Sequence, residues 1–173
     1  ISAHHTKPWG VGEGGFVLCD AEDEETLREL ANFSARLSEG TKFAASNYKI
    51  SDLSAAAIID RLERMPSWAP DYAAQQERMH KLLANVSDIM PFVGDTTPQS
   101  PRAHVPFLAS VPIDVTSVAG PVTLRKYYRP LSGQQPTLNA DDLFARIFSL
   151  SNSPEMQFAF DEDIRTQLLS LIG

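Results

Sequence analysis

The chain has 173 residues, 43% of them hydrophobic and 21% charged, and this composition is typical of a folded globular protein. It carries 15 Lys and Arg residues against 22 Asp and Glu residues, a net charge of -7 that repels phosphate backbones and disfavours nucleic acid as a main partner. A single cysteine, Cys19, excludes an internal disulfide and favours a reducing intracellular or organellar compartment. No run of residues approaches the roughly 20 apolar residues that a transmembrane helix needs.

The N-terminal segment, residues 1–22, is predicted to be an extended, glycine-rich arm. It contains the spacing G-x-G-x-x-G-x-V of a protein-kinase phosphate loop, formed by Gly10, Gly12, Gly15 and Val17. A kinase also needs a lysine on the strand that follows and carboxylate motifs for magnesium, but acidic residues follow here and the next lysine is Lys42. A dinucleotide loop needs a strand before its glycines and a helix after them. We therefore expect the glycines to serve backbone conformation, with Phe16–Cys19 as a short strand.

The arm also contains histidine, cysteine and tryptophan side chains that could serve as functional groups. Adjacent histidines on an extended chain point to opposite sides, so His4 and His5 are not predicted to bind a metal. The acidic neighbours of Cys19 disfavour a nucleophilic thiolate there. Trp9 lies between Pro8 and Gly10, and an aromatic side chain on an extended segment is a candidate anchor for a partner protein.

Residues 23–90 are predicted to be helical. The apolar periodicity indicates a first helix over 24–39, which ends at Gly40, and a second helix that begins at the cap Ser51 and ends before Pro66. A third helix is predicted over 71–89, with Val86 and Ile89 on its apolar face. Short connections between three helices favour an up-and-down bundle in this half of the chain.

Residues 91–136 are predicted to form a proline-rich irregular segment with one β-hairpin. Four prolines, Pro98, Pro101, Pro106 and Pro112, interrupt any helical period. The stretches IDVTSV and PVTLRKYY are rich in β-branched residues and flank Ala119-Gly120, which predicts two strands and a turn.

The second predicted hairpin strand carries a basic and aromatic surface. Its members are Arg125, Lys126, Tyr127, Tyr128 and Arg129. Strand alternation would place Arg125, Tyr127 and Arg129 on one face, where they could contact an acidic protein or, as a weaker alternative, nucleic acid. The other interpretation is a solvated strand face whose tyrosine rings cover apolar neighbours.

The C-terminal segment, residues 137–173, is predicted to be helical. One helix is expected to begin at the cap Asn139 and to carry Ile147 and Phe148. Ser153-Pro154 indicates another helix start, and Asp161 is the expected cap of the last helix.

These patterns predict a mainly α (α+β) fold: a bundle-like N-terminal half, a small hairpin and a helical C-terminus, together one domain with arms. We predict no catalytic residue, metal site or cofactor, and the sequence leaves open whether the protein is an enzyme. The favoured function is a non-enzymatic structural or accessory subunit, an adaptor that docks with other protein subunits. The alternative is a small hydrolase or transferase whose site joins His4, His5 or His104 to a distant carboxylate.

Overall fold

The structure is a computed structural model in which residues 1–33, 45–92, 100–131 and 137–173 are described. The chain divides into two compact units, Ile1–Met65 and Pro66–Gly173. Of the described helices, none is long and apolar enough to cross a membrane.

The first unit begins with a segment that folds back on itself. Backbone N–H groups of Ala3, His5 and Phe16 donate to the carbonyls of Gly14, Gly12 and Ile1, at 2.9, 2.7 and 2.7 Å. These bonds form an antiparallel pairing whose two arms are residues 1–5 and 12–16. The predicted strand at Phe16–Cys19 is not formed, because the pairing ends at Phe16.

The described part of this unit also contains two α-helices. A 3-10 turn, Ala21–Asp23, leads into α1 (Glu24–Ala31), which ends where Asn32 and Phe33 leave the helical region, Phe33 with a positive φ of 63°. The rest of the first predicted helix and its Gly40 cap fall in residues 34–44, outside the described part. Helix α2 (Asp52–Glu63) begins as predicted, with the hydroxyl of Ser51 accepting a hydrogen bond from the Ser54 N–H at 3.1 Å.

Helix α3 (Met65–Leu83) begins earlier and ends earlier than predicted. Pro66 lies in the first helical turn, where its missing N–H costs no hydrogen bond. At the other end, Val86 and Ile89 are not helical. Ile89 instead begins β1 (Ile89–Pro91), where it pairs with Ala109.

The second unit contains a four-stranded antiparallel sheet that was not predicted. Its strands are β1, β2 (His104–Ala109), β3 (Leu124–Arg125) and β4 (Ile147–Ser151), in the order β1-β2-β4-β3. Strand β2 pairs along its length with β4, with Phe107 opposite Phe148. Pro106 lies at the end of the β1–β2 pairing, where its carbonyl accepts from the N–H of Phe92 at 3.2 Å.

The predicted hairpin around Ala119-Gly120 is wrong. The Asp114 carboxylate accepts from the N–H and hydroxyl of Thr116, at 2.9 and 2.7 Å, and this local turn replaces the first strand. Val122 cannot pair with a strand either, because its backbone N–H and carbonyl are both bonded to the buried side chain of Gln167. Only Leu124–Arg125 is extended, and it pairs with β4.

The C-terminal segment combines helices with a strand. Helix α4 (Leu138–Arg146) follows Thr137, whose N–H donates to the Asp141 carboxylate, so the predicted Asn139 cap is wrong. Ile147 and Phe148, predicted to be helical, belong to β4. A 3-10 helix, Pro154–Phe158, begins near the predicted Ser153-Pro154 start, and α5 (Asp161–Ile172) is the last helix.

The described hydrophobic core lies in the second unit. It joins Met79 and Leu83 of α3, Phe107 and Phe148 of the sheet, and Leu168 of α5 with further buried neighbours. The fold is therefore compatible with a mixed α+β class, but the predicted three-helix bundle is wrong, because α3 packs in a core with the sheet and α5.

Candidate functional site

The two paired arms of the first unit carry a loop that presents Lys7. The Lys7 N–H donates to the carbonyl of His4 at 2.8 Å, and the Lys7 carbonyl accepts from the N–H of Gly10 at 2.9 Å. The indole N–H of Trp9 donates to the carbonyl of Ser2 at 2.8 Å. Backbone hydrogen bonds on both sides thus fix the position of Lys7.

Lys7 is half-buried, and its amine has no hydrogen bond or ion pair with any described residue. The other lysines of the described ranges all have partners. Lys49 donates to Asn32 Oδ1 at 2.5 Å, and Lys81 pairs with Glu77 at 2.7 Å. Lys126 donates to the carbonyls of Ile113 and Ala145 at 2.8 and 2.6 Å. Within the described residues, Lys7 therefore offers the one lysine amine free for covalent chemistry.

Glycines make this loop possible. A Cβ on Gly10 would lie 1.9 Å from the carbonyl oxygen of His4, so only glycine allows the chain to pass this close. Gly12 has a φ of 71°, in the left-handed region that glycine adopts without steric cost. This agrees with the predicted conformational role of the glycines.

Lys7 was not predicted as a functional residue, because the kinase pattern requires a lysine after the glycines and Lys7 precedes them. The signal in the sequence is a lysine that precedes the glycines: Lys7 is followed by Pro8 and then by Gly10, which allows the close backbone approach.

His4 and His5 lie beside this loop, and their predicted divergence is wrong. The hydrogen bond from the Lys7 N–H to His4 closes a turn, so the two residues are not on an extended chain, and their ring centroids lie 4.0 Å apart. The Thr6 N–H donates to His4 Nδ1 at 3.2 Å, and the Thr6 hydroxyl lies 2.8 Å from the same nitrogen. His4 Nε2 lies 3.2 Å from a carboxylate oxygen of Glu13, on the opposite arm.

The predicted basic and aromatic surface lies in the second unit. Some of its residues are exposed, as predicted, and others are not. Strand β3 ends at Arg125, so strand alternation does not extend to Arg129. Arg125 and Arg129 are exposed, and Tyr128 is 83% exposed. The ring of Tyr127 contacts that of His104, with 5.3 Å between centroids.

Lys126 does not belong to this surface. Besides its two bonds to backbone carbonyls, its Nζ lies 5.2 Å from the centroid of the Phe144 ring. Burial lowers the pKa of the Lys126 ammonium, and the nearby Asp114 carboxylate partly opposes that shift. Lys126 thus stabilises the fold by linking the backbone at Ile113 to the backbone at Ala145, near the end of α4.

Several solved structures share this fold. TlmJ, an aminotransferase from Streptoalloteichus hindustanus, superposes with a TM-score of 0.73 at 20% identity, over 99% of this chain and 52% of that one. A DegT DnrJ EryC1 StrS aminotransferase from Brucella abortus gives 0.74 at 20% identity, over 99% and 50%. DesV from S. venezuelae, solved in complex with a ketimine intermediate, gives 0.70 at 20% identity, over 98% and 50%. This chain spans about half the length of each.

The sequence model of the DegT/DnrJ/EryC1/StrS aminotransferase family matches residues 1–168, almost the whole chain. This match contradicts the predicted non-enzymatic accessory subunit, which rested on the absence of familiar catalytic spacings. It favours the transferase alternative instead. The chain belongs to the DegT/DnrJ/EryC1/StrS aminotransferase family.

Proposed function

We propose that this chain contributes to an aminotransferase and that Lys7 is the residue that holds the cofactor, pyridoxal phosphate. The family match supports the reaction class, and the free amine of Lys7 supports the assignment of the residue. Pyridoxal phosphate supplies a reactive carbonyl and an electron-withdrawing ring, which together allow an amino group to be transferred.

The residues of the loop fit this role. A carbonyl cofactor is held covalently by a primary amine, and that amine must not be committed to an ion pair or a hydrogen bond. Lys7 meets this condition, whereas Lys126 does not, because two backbone carbonyls occupy its ammonium group.

The surroundings of Lys7 hold its backbone in place. Hydrogen bonds from Lys7 to His4 and from Gly10 to Lys7 restrict the position of its α-carbon. The Trp9 indole bonded to Ser2 fixes the chain directly after it. The reactive amine then moves only through rotation of its own side chain, which favours a repeatable approach to a bound substrate.

The assignment is tested by trapping the cofactor and by substitution of the lysine. The protein, expressed from its full reading frame, is incubated with pyridoxal phosphate, reduced with borohydride, digested and analysed by mass spectrometry. We expect the reduced adduct on the peptide that contains Lys7. Lys7→Ala should abolish the adduct and lower amino transfer by at least about 10³-fold, a barrier of about 4 kcal/mol.

Lys49→Ala is the matched control, because Lys49 is an exposed lysine of the same unit whose amine bonds Asn32. It should retain both the adduct and the activity. An adduct on another lysine, or a Lys7→Ala variant that transfers amino groups at the normal rate, would show that Lys7 is not the cofactor lysine.

Contact of Trp9 and of Arg125–Arg129 with other protein subunits stays a prediction. The exposure of Arg125, Tyr128 and Arg129 supports it. Lys126 is the member that we no longer include, since its ammonium group faces backbone carbonyls of its own unit.

A further inference from the structure

A cluster of potential metal ligands lies on the paired arms beside the Lys7 loop. It consists of His4, His5 and Glu13. One ring nitrogen from each histidine and one carboxylate oxygen all lie within 4.8 Å of one another. Nothing in the proposed role of Lys7 requires these three side chains to converge.

The convergence follows from the local backbone. The turn closed between His4 and Lys7 brings the two imidazoles together on one arm. The hydrogen bond from the His5 N–H to the Gly12 carbonyl aligns the opposite arm, and this places Glu13 next to His4. The ligands therefore come from both arms of the pairing and not from one flexible stretch.

The protonation of His4 is compatible with metal binding at its outer nitrogen. Nδ1 accepts the Thr6 N–H, so in the neutral ring the hydrogen is on Nε2, the atom that faces Glu13. A cation bound at Nε2 requires the other neutral tautomer, with the hydrogen on Nδ1, and keeps the carboxylate as a partner. Nδ1 then donates to the Thr6 hydroxyl oxygen, 2.8 Å away, in place of accepting the Thr6 N–H, and this outer hydrogen bond orients the ring, as is common for a metal-binding histidine.

The donor set selects the class of ion. Two imidazoles and one carboxylate suit Zn²⁺, which is often held by three protein ligands with water at the fourth position. Mg²⁺ and Ca²⁺ prefer oxygen ligands throughout and are poorly matched here. The carboxylate of Glu13 is exposed and His4 is about one-third exposed, so the ion can enter without opening the fold.

We propose that His4, His5 and Glu13 form a binding site for a divalent transition-metal ion of the Zn²⁺ type. An ion bound there cross-links the two arms at the base of the Lys7 loop. Binding therefore stabilises the folded loop by mass action and restricts the segment that carries Lys7.

The site is tested by titrating the metal-free protein with Zn²⁺ in a calorimeter. We expect one ion per chain. Glu13→Gln, which keeps the size of the side chain but removes its charge, and His5→Ala should each weaken binding at least tenfold. Glu22→Gln removes an exposed carboxylate outside the cluster and should bind as the parent protein does.

Hydrogen exchange gives a second measurement that does not depend on catalytic activity. Saturating Zn²⁺ should slow exchange of the paired amides of Ala3 and His5, and Glu13→Gln should remove the effect. Absence of saturable binding, or equal affinity of the parent, His5→Ala and Glu13→Gln proteins, would overturn the proposal. Circular dichroism confirms that each variant is folded, and Glu13→Gln decides the result if His5→Ala does not fold.

Discussion

Gly10 shows how closely the backbone must pack to present Lys7. Its α-carbon lies against the His4 carbonyl, and a Cβ there would be 1.9 Å from the oxygen, so the two segments must separate to admit any side chain. Two hydrogen bonds hold the backbone at this contact: the Lys7 N–H donates to the His4 carbonyl, and the Gly10 N–H donates to the Lys7 carbonyl. Gly12 differs, because a Cβ there would meet no atom within 4 Å and only its positive φ favours glycine.

This difference predicts different costs for two similar substitutions. Gly12→Ala should destabilise the first unit by about 1–2 kcal/mol, the usual cost of a left-handed alanine. Gly10→Ala should cost more, on the order of 3 kcal/mol, because backbone must move. Urea unfolding followed by tryptophan fluorescence measures both. If Gly10→Ala proved no worse than Gly12→Ala, the close approach of Gly10 to His4 would be disproved.

The ion pair on α4 connects a helix to the sheet. The Asp142 carboxylate lies 2.5 Å from the Arg146 guanidinium, one helical turn further on, and the guanidinium also donates to the carbonyl of Ala109 in β2 at 3.3 Å. The hydrogen bond from Arg146 lowers the pKa of Asp142 from its ordinary value. The charged carboxylate is therefore preferred in the folded state.

The sign of the resulting pH dependence follows from that shift. Because the folded pKa of Asp142 is below the unfolded value, the contribution is present above about pH 4 and is lost as the pH falls through the folded pKa. Asp142→Asn should thus be less stable than the parent protein near pH 7, and the difference should disappear in acid. Urea midpoints measured from pH 3 to pH 7 test this, and the exposed position of the carboxylate keeps the effect small.

A double-mutant cycle identifies the cause. Asp142→Asn should have little further effect in an Arg146→Met background, where the partner is already absent. A pH-independent effect of Asp142→Asn, or an unchanged effect in that background, would mean that the carboxylate acts through something other than Arg146.

At the level of elements, the sequence predicted one helix start correctly but missed the strands, whose partners lie far along the chain. Ser51 was correctly identified as a cap because its hydroxyl acts on an N–H three residues away. Strand β2 was missed because prolines 101 and 106 suggested irregular structure, while the pairing that stabilises it comes from β4, about 40 residues later. Ile147 and Phe148 continued a helical spacing, and only burial in the sheet distinguishes them as strand residues.

The candidate site, too, depends on contacts between residues that are far apart in the sequence. The glycines were correctly assigned to backbone conformation, but the free amine of Lys7 depends on which lysines find partners elsewhere. Lys126 is bonded to Ile113 and Ala145, 13 and 19 residues away, and no linear pattern contains that information. The prediction of a non-enzymatic subunit was also wrong, because it took the absence of familiar catalytic spacings as evidence against an enzyme.

In the whole molecule, structural stability and the candidate chemistry lie in different units. The Lys7 loop belongs to Ile1–Met65, whose described buried apolar residues are Ala3, Pro8 and Ile58. The large core cluster, from Met79 to Leu171, lies entirely within Pro66–Gly173. Buried apolar area is the main source of folding stability, so the second unit holds most of it.

This distribution predicts that residues 66–173 fold without the rest of the chain. The fragment should unfold cooperatively in urea, because its sheet, α5 and nearly all of α3 form one buried cluster. Phe107 is fully buried and packs on Phe148, with ring centroids 5.8 Å apart. Phe107→Ala in the fragment should therefore cost about 3–5 kcal/mol or abolish folding.

Tyr128→Ala is the control, since its ring is 83% exposed and its loss should change the free energy of unfolding by less than about 1 kcal/mol. The fragment of residues 1–65, by contrast, should show no cooperative transition, because too little apolar surface is buried in its described part to offset the entropy of ordering it. A cooperative 1–65 fragment, or a 66–173 fragment without a transition, would place the source of stability in the unit that carries Lys7.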